Sequence, residues 1–379
     1  MVNVLHVIPS LSGGGAERFV ADLVRHELRF GVDARMCVFR KGHTDLLWCK
    51  DLPQPSELEF HPTSGVRGRL ELAKLVIQLR EVIRREHPDI LHTHLWPACR
   101  IVVRATRGLS LRHVWHVHDT QDWLVEKSLS ARIRRVQMRV MIRKRNPFLI
   151  AVSAAVRQMA ICGLRLGEAE IATVLNGVDT SIFFPTEPSG EHQSGPVKLI
   201  MTAAFRPMKG HACLIEALSL LRKADVKYSV TLAGDLDTKT GQVIQERTRA
   251  LGLHEVVDFA GHFTHMPKLL RSHDIFVLPS VDTEGLPLAM LEAMACGLPV
   301  VVSKVGGMPE VVENGVTGFV VEPGNSIELA QRLRLLIESP AMRREMGRRG
   351  SEIAAREYSF KPCAARILAI YRQILGIMP

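Results

Sequence analysis

Short apolar runs alternate with amphipathic stretches along nearly the whole chain. "VNVLHVIP" reads as a buried strand, "GAERFVADLVRHELRFG" as a helix ending on Gly31, and "VDARMCVF" as a second strand. A helix near residues 67–86, strands "DILHTH" and "HVWHVHD", a helix near 130–145 and the strand "FLIAVS" continue the pattern. Strict alternation of this kind predicts a parallel, doubly wound sheet. Residues 185–196, "PTEPSGEHQSGP", have no apolar period and are rich in Pro, Ser and Gly, which predicts a linker. Alternation then resumes with "VKLIMTAAF", "YSVTLAGD", "VVDFAG", "DIFVLPS", "LPVVVS" and "GFVVEP", each followed by a helical segment. The expectation is α/β, with two similar doubly wound domains at 1–184 and 197–360 facing each other across a cleft. A last helix, 361–376, lies beyond the second pattern.

Composition fits this picture. The chain has 379 residues, 46% of them hydrophobic, 5% aromatic and 23% charged, so two ordinary cores are expected and a disordered or fibrous class is excluded. The seven cysteines are scattered without a CxxC pair, which argues against a zinc ribbon and for a reducing compartment. No charged leader precedes an apolar stretch, and no run approaches the roughly 18 apolar residues of a membrane span. A cytoplasmic location is therefore expected. The net charge of +10 is uneven: residues 1–185 carry 27 Lys and Arg against 18 Asp and Glu. Such charge could serve nucleic acid, but no recognition motif or aromatic platform accompanies it. Within the basic half, 131–145 holds seven cations and no acid, with Ile133, Val136 and Val140 at helical spacing. It reads equally as a helix lying on anionic lipid or as a packed helix with a solvated basic face.

Ligands of open α/β sheets bind beyond the carboxyl ends of the strands, so the loops there carry the candidate chemistry. In "VDTEGLPLAMLEAMACGLPVVVS", Glu284 and Gly285 form a turn, Leu286 follows, and Pro287 suits the first position of a helix whose free amides could hold an anion. Glu284 and Glu292 could flank a nucleotide sugar; alternatively Glu284 caps the helix and Glu292 lies on a solvated face. In "AAFRPMKGH", Arg206 and Lys209 can both point into one mouth above a strand end, as a diphosphate requires where no metal neutralises it. They could equally be solvated cations at a helix start.

In the first half, "PSLSGGGAE" joins strand to helix through Gly13, Gly14 and Gly15, which admit a ligand close to the backbone. It is neither a dinucleotide fingerprint nor a Walker loop. Glu17 reads as a first-turn partner of the helix dipole. His116 and His118 share a strand face beside Asp119. Metal ligation by these three is the weaker reading; one core and one rim histidine is the stronger. For His92 and His94, packing and strand-end hydrogen bonds are the preferred reading. Asp235 and Asp237 in "GDLD" read as turn residues rather than a metal motif.

"GGGAE", "NGVD", "RPMKG" and "EGLPLAMLEAMACGLPVVVS" together resemble family 4 of the retaining glycosyltransferases, over nearly the whole chain. The resemblance implies the GT-B fold, two Rossmann-like domains with an acceptor-side first domain completed by the C-terminal helix and a donor-binding second domain. It implies that Arg206 and Lys209 hold the diphosphate, Glu292 the ribose and Glu284 the donor sugar, beside Gly285, Leu286 and Pro287. It also places His262 and Phe263 at the base, Gly14 and Gly15 at the donor phosphates, and His118 near the reacting centre. The implied activity is metal-independent, retaining transfer from a nucleotide-diphosphate sugar, with no cofactor, to a glycan or lipid-linked acceptor. A nucleotide-sugar epimerase of the same fold is the alternative enzyme.

Overall fold

The computed structural model describes residues 2–11, 14–39, 51–59, 65–186, 195–224, 226–261, 263 and 265–377. The chain divides into two units, Met1–Asn176 with Phe360–Pro379, and Gly177–Ser359.

The first unit runs β1 (Asn3–Ile8), α1 (Gly15–Arg29), β2 (Asp33–Val38), β3 (Ser56–Glu57), α2 (Gly65–Glu86), β4 (Ile90–His94), α3 (Trp96–Ala105), β5 (Arg112–Val117), α4 (Asp122–Val125), α5 (Leu129–Arg145), β6 (Phe148–Ala151), α6 (Ala154–Leu164) and β7 (Ile171–Thr173). Its strands form one sheet in the order β3-β2-β1-β4-β5-β6-β7, and every pairing is parallel. Helices cover both faces, which is why β4 is buried at all five positions and includes two histidines. Ser128 and Ser153 cap α5 and α6 by accepting from the amides of Ala131 and Val156.

The second unit runs β8 (Val197–Thr202), α7 (His211–Lys223), β9 (Tyr228–Ala233), α8 (Lys239–Ala250), β10 (Val257–Gly261), α9 (Met266–Arg271), β11 (Ile275–Leu278), α10 (Leu288–Ala295), β12 (Val300–Ser303), α11 (Met308–Val311), β13 (Gly318–Val321), α12 (Ser326–Glu338) and α13 (Pro340–Glu357). Its sheet has the order β10-β9-β8-β11-β12-β13. The apolar runs of β11 and β12 are buried at every position. The last helix, α14 (Phe360–Leu375), belongs to the first unit. It packs on α1, with the Phe360 ring 5.5 Å from that of Phe19 and 4.7 Å from that of His26.

Residues 177–184, given to the first domain by the sequence pattern, lie in the second unit. The reason is local. The Val178 amide donates to Tyr358 O at 2.8 Å, tying this segment to the end of α13. Most of the expected linker, 187–194, lies outside the described residues.

Candidate functional site

In the second sheet the strand order reverses between neighbours β8 and β11, the place where ligands of doubly wound sheets collect. Two loops leave the sheet there and carry Arg206, Lys209 and Glu284. After β8 the chain passes the exposed Arg206 into a single 3₁₀ turn, Pro207–Lys209. Gly210 then turns it into α7 with a φ of 76°. A side chain at Gly210 would collide with the Pro279 carbonyl of the loop after β11. Glycine thus lets the loops touch, and the Val281 amide joins them by donating to Met208 O at 2.8 Å.

The same two loops are joined by charge. Glu284 is only 5% exposed, and its Oε1 accepts from Lys209 Nζ at 2.6 Å and from Ser280 Oγ at 2.6 Å. An ammonium has three donors, so this pairing leaves Lys209 able to serve a further anion. Pro287 is the N-cap of α10 rather than the first helical residue expected, and it makes no side-chain cap. Glu292, in the second turn of α10, is likewise 5% exposed and not on a solvated face. Burying a carboxylate is costly unless it is partnered.

Further along, the loop after β12 supports the Glu284–Gly285 turn from below. Gly307 N–H donates to Gly285 O at 2.6 Å. A Cβ on Gly306, whose φ is 55°, would strike the Glu284 carbonyl. Ser280, Gly210, Gly306 and Gly307 were not singled out in the sequence; the last two follow "LPVVVS", where paired glycines after a strand were the available signal. Leu286 is buried and Phe263 is at the surface, while His262 lies outside the described residues. Asp235 and Asp237 are exposed turn residues, with Asp235 Oδ1 accepting the Asp237 amide at 3.0 Å.

In the first unit, Gly14 is the N-cap of α1 with extended backbone. A Cβ there would run into the Glu17 carboxylate, while one on Gly15 would meet nothing within 4 Å. Packing does not require the glycine at 15. Glu17 sits in the first turn and accepts from Ser10 Oγ at 3.2 Å. Gly13 lies outside the described residues.

Parallel register places His6 beside His92 and His94 beside His116. With His118 they make a cluster of five buried histidines on β1, β4 and β5 and just beyond. His118 is 9% exposed, and both rings of the "HVH" pair are core rather than one core and one rim. The Phe19 ring lies edge-on to His116 and His118 at 5.0 and 5.3 Å. Burial lowers the pKa of His118 to about 3 and holds His92, His94 and His116 well below the usual imidazole range. A neutral His118 can accept or donate one hydrogen bond but cannot offset the charge of a leaving diphosphate. The nitrogens of His6, His92 and His94, and of His94, His116 and His118, lie within 4.8 Å of one another, so either trio could hold a metal ion. His94 hydrogen-bonds two other rings through both of its nitrogens.

On α5 the buried face is Ala131, Met138 and Ile142. Leu129, Ile133, Val136 and Val140 are instead 71%, 49%, 50% and 44% exposed. The apolar stripe among the seven cations therefore points away from the core. Among the described residues no helix is long and apolar enough to cross a membrane.

Known proteins share this fold. The model of "Glycosyltransferase Family 4" matches residues 13–182, and that of "Glycosyl transferases group 1" matches residues 185–353. The alpha-maltose-1-phosphate synthase of Mycolicibacterium smegmatis is 28% identical over 86% of this chain and 90% of its own. A D-inositol 3-phosphate glycosyltransferase of Arthrobacter is 27% identical over 97% of this chain and 93% of its own. Among solved structures, Anabaena HepE in complex with UDP and glucose superposes with a TM-score of 0.80 at 24% identity, over 98% of this chain and 99% of that one. Sucrose-phosphate synthase of Thermosynechococcus elongatus does so with a TM-score of 0.83 at 18% identity, over the full length of both. The chain belongs to glycosyltransferase family 4 and is a glycosyltransferase of GT-B type, with two Rossmann-like units.

Proposed function

We propose that this glycosyltransferase moves a sugar, with retention and without a metal, from a nucleotide-diphosphate donor to a glycan or lipid-linked saccharide. The observation that carries the reading is the Lys209–Glu284 ion pair at the point where the strand order reverses, with Arg206 exposed beside it. The donor diphosphate would sit against Arg206, Lys209 and the uncapped start of α10, which together stabilise the charge that grows as the nucleotide leaves. Glu284 would orient the sugar and Glu292 would hold the ribose. To the first unit the proposal gives Gly14 and Gly15 as phosphate contacts and His118 as a neutral contact to the sugar. The acceptor hydroxyl attacks on the face that the nucleotide leaves, so no pair of glycosidase-type carboxylates is called for. The Anabaena relative crystallised with UDP and glucose supports this donor class.

The exposed apolar stripe of α5, set among its cations, supports a peripheral position on an anionic membrane surface at the cytoplasmic face. An acceptor of cell-envelope or exopolysaccharide assembly follows from that position. Thermal-shift measurements with UDP-, GDP- and ADP-sugars test the donor. One of these raising the melting temperature in wild type, with the rise lost in R206A, supports the reading; no rise with any of them removes it. Donor consumption without acceptor, giving an epimer rather than a hydrolysed sugar, would identify an epimerase instead. Sedimentation with phosphatidylglycerol vesicles but not with phosphatidylcholine vesicles tests the membrane face, and I133D/V136D should abolish it.

A further inference from the structure

Behind His118 runs an unbroken file of buried hydrogen bonds that the catalytic reading does not use. The Tyr371 hydroxyl of α14 donates to Glu27 Oε1 on α1 at 2.9 Å. Glu27 Oε2 lies 2.7 Å from His6 Nε2, His6 Nδ1 lies 3.0 Å from His94 Nε2, and His94 Nδ1 lies 3.0 Å from His118 Nε2. Glu27, His6 and His94 are 0% exposed.

The order of protons in this file is determined from its closed end. Glu27 accepts the Tyr371 hydroxyl through Oε1, and its Oε2 calls for a hydrogen on His6 Nε2. A neutral imidazole carries one N–H, and burial disfavours a second on His94 and His118. His6 Nδ1 must then accept, which makes His94 Nε2 the donor and His94 Nδ1 the next acceptor. His118 in turn must donate from Nε2, leaving Nδ1 as a lone pair and the only ring nitrogen not used by the file. His92 obeys the opposite rule. Its Nδ1 lies 2.5 Å from the Tyr371 hydroxyl, whose hydrogen is committed to Glu27, so His92 donates from Nδ1. The Nε2 of His92, buried without a partner, is then a lone pair rather than an orphaned N–H, the rarer and costlier case.

We propose that Glu27, acting through His6 and His94, fixes the Nε2–H tautomer of His118, so that His118 offers Nδ1 as a hydrogen-bond acceptor to a sugar hydroxyl. Glu27 and Tyr371 are positioning residues on α1 and α14; the last clause rests on the proposed contact of His118 with the donor sugar. The tautomer of His118 therefore reports the state of a carboxylate two rings away.

Long-range 1H–15N correlation spectra of the full chain labelled at histidine read this without any ligand. Expected are Nε2–H patterns for His6, His94 and His118 and an Nδ1–H pattern for His92, with resonances assigned from single His→Gln variants. Glu27→Leu removes the acceptor and should release His118 into a mixture of tautomers. Glu27→Gln keeps one acceptor oxygen and should retain the Nε2–H pattern of His6, His94 and His118, while its amide, a donor to the Tyr371 hydroxyl, should turn His92 to Nε2–H. Should the Leu variant not fold, the wild-type and Gln spectra still decide. An Nδ1–H or doubly protonated His118 in wild type overturns the proposal, as does stoichiometric zinc uptake that shifts the His94 nitrogens. The kinetic arm separates the two claims. With the nucleotide sugar selected from the UDP, GDP and ADP panel, E27L should lower kcat/KM about tenfold in wild type and not at all in an H118A background. A tautomer change without a kinetic change keeps the relay and removes the sugar contact.

Discussion

Lys209 Nζ lies 2.6 Å from Glu284 Oε1, across 75 residues of sequence and between the loops that leave two neighbouring strands. Lys209 thereby offsets a carboxylate that would otherwise repel the diphosphate proposed to bind there, and Glu284 in turn holds the ammonium in place. Each residue is expected to matter through the other. Lys209→Ala strands a carboxylate that is 6% exposed at its side chain, which should destabilise the second unit by about 1 to 3 kcal/mol as well as reduce turnover at least about a hundredfold. In a double-mutant cycle, K209A/E284A should cost clearly less than the sum of the single losses, in both melting temperature and kcat/KM. Additive losses would mean that the pair is incidental.

Arg206 tests the diphosphate assignment more cleanly. It is exposed, so Arg206→Ala should leave the melting temperature of the free protein within about 1 °C while lowering transfer at least about a hundredfold. Arg206→Lys should recover only part of it, since an ammonium cannot reproduce a bidentate guanidinium contact. Near-normal turnover in R206A would remove it from the site.

The glycines divide by the same logic. Gly210 has a φ of 76° and a Cβ position that runs into backbone at Pro279, so Gly210→Ala should destabilise the second unit by about 2 kcal/mol or more and displace Lys209. Gly15→Ala meets nothing within 4 Å at the start of α1 and should leave stability equal or slightly higher. If the backbone at Gly15 meets donor phosphates, G15A will nonetheless weaken nucleotide-sugar binding in titration calorimetry. Equal affinity for wild type and G15A would leave that glycine without a role in binding.

Much of this arrangement is legible in the sequence, and the remainder has a common cause. Alternating apolar runs show two doubly wound sheets because parallel strands are buried on both faces, and "RPMKG" and "EGLP" stand out because their charges and glycines follow strand ends. Neither motif reveals that Lys209 is bonded to Glu284, since that contact depends on β8 and β11 being neighbours. The histidine file was hidden for the same reason. His92, His94, His116 and His118 are visible as two H-x-H pairs, but His6, Glu27 and Tyr371 join them only through parallel register and the packing of α14 on α1. The unit boundary falls earlier than the composition suggests because Val178 is bonded to Tyr358, the Ile182 carbonyl accepts from Arg271, and the Arg271 guanidinium lies over the Phe184 ring.

The buried histidines also set a pH response. Burial lowers His113, with help from the neighbouring Arg145 cation, and His211, with help from Lys209, each to about 4; it takes His118 to about 3. A histidine whose pKa falls on folding binds fewer protons in the native state. Its contribution is therefore complete above the unfolded value of about 6.5 and is lost as pH falls from there toward the folded value. Each such residue should withdraw up to about 1.4 kcal/mol of stability per pH unit in that window. The melting temperature is expected to be flat above pH 7 and to fall steeply between pH 6.5 and about 4. His113→Leu, which replaces a ring with two unbonded buried nitrogens, should flatten the slope of the first unit without lowering its stability at pH 5. A melting temperature that stays constant from pH 7 to 5 in the wild-type chain would mean that these rings reach protons before unfolding, and that their burial carries no linkage.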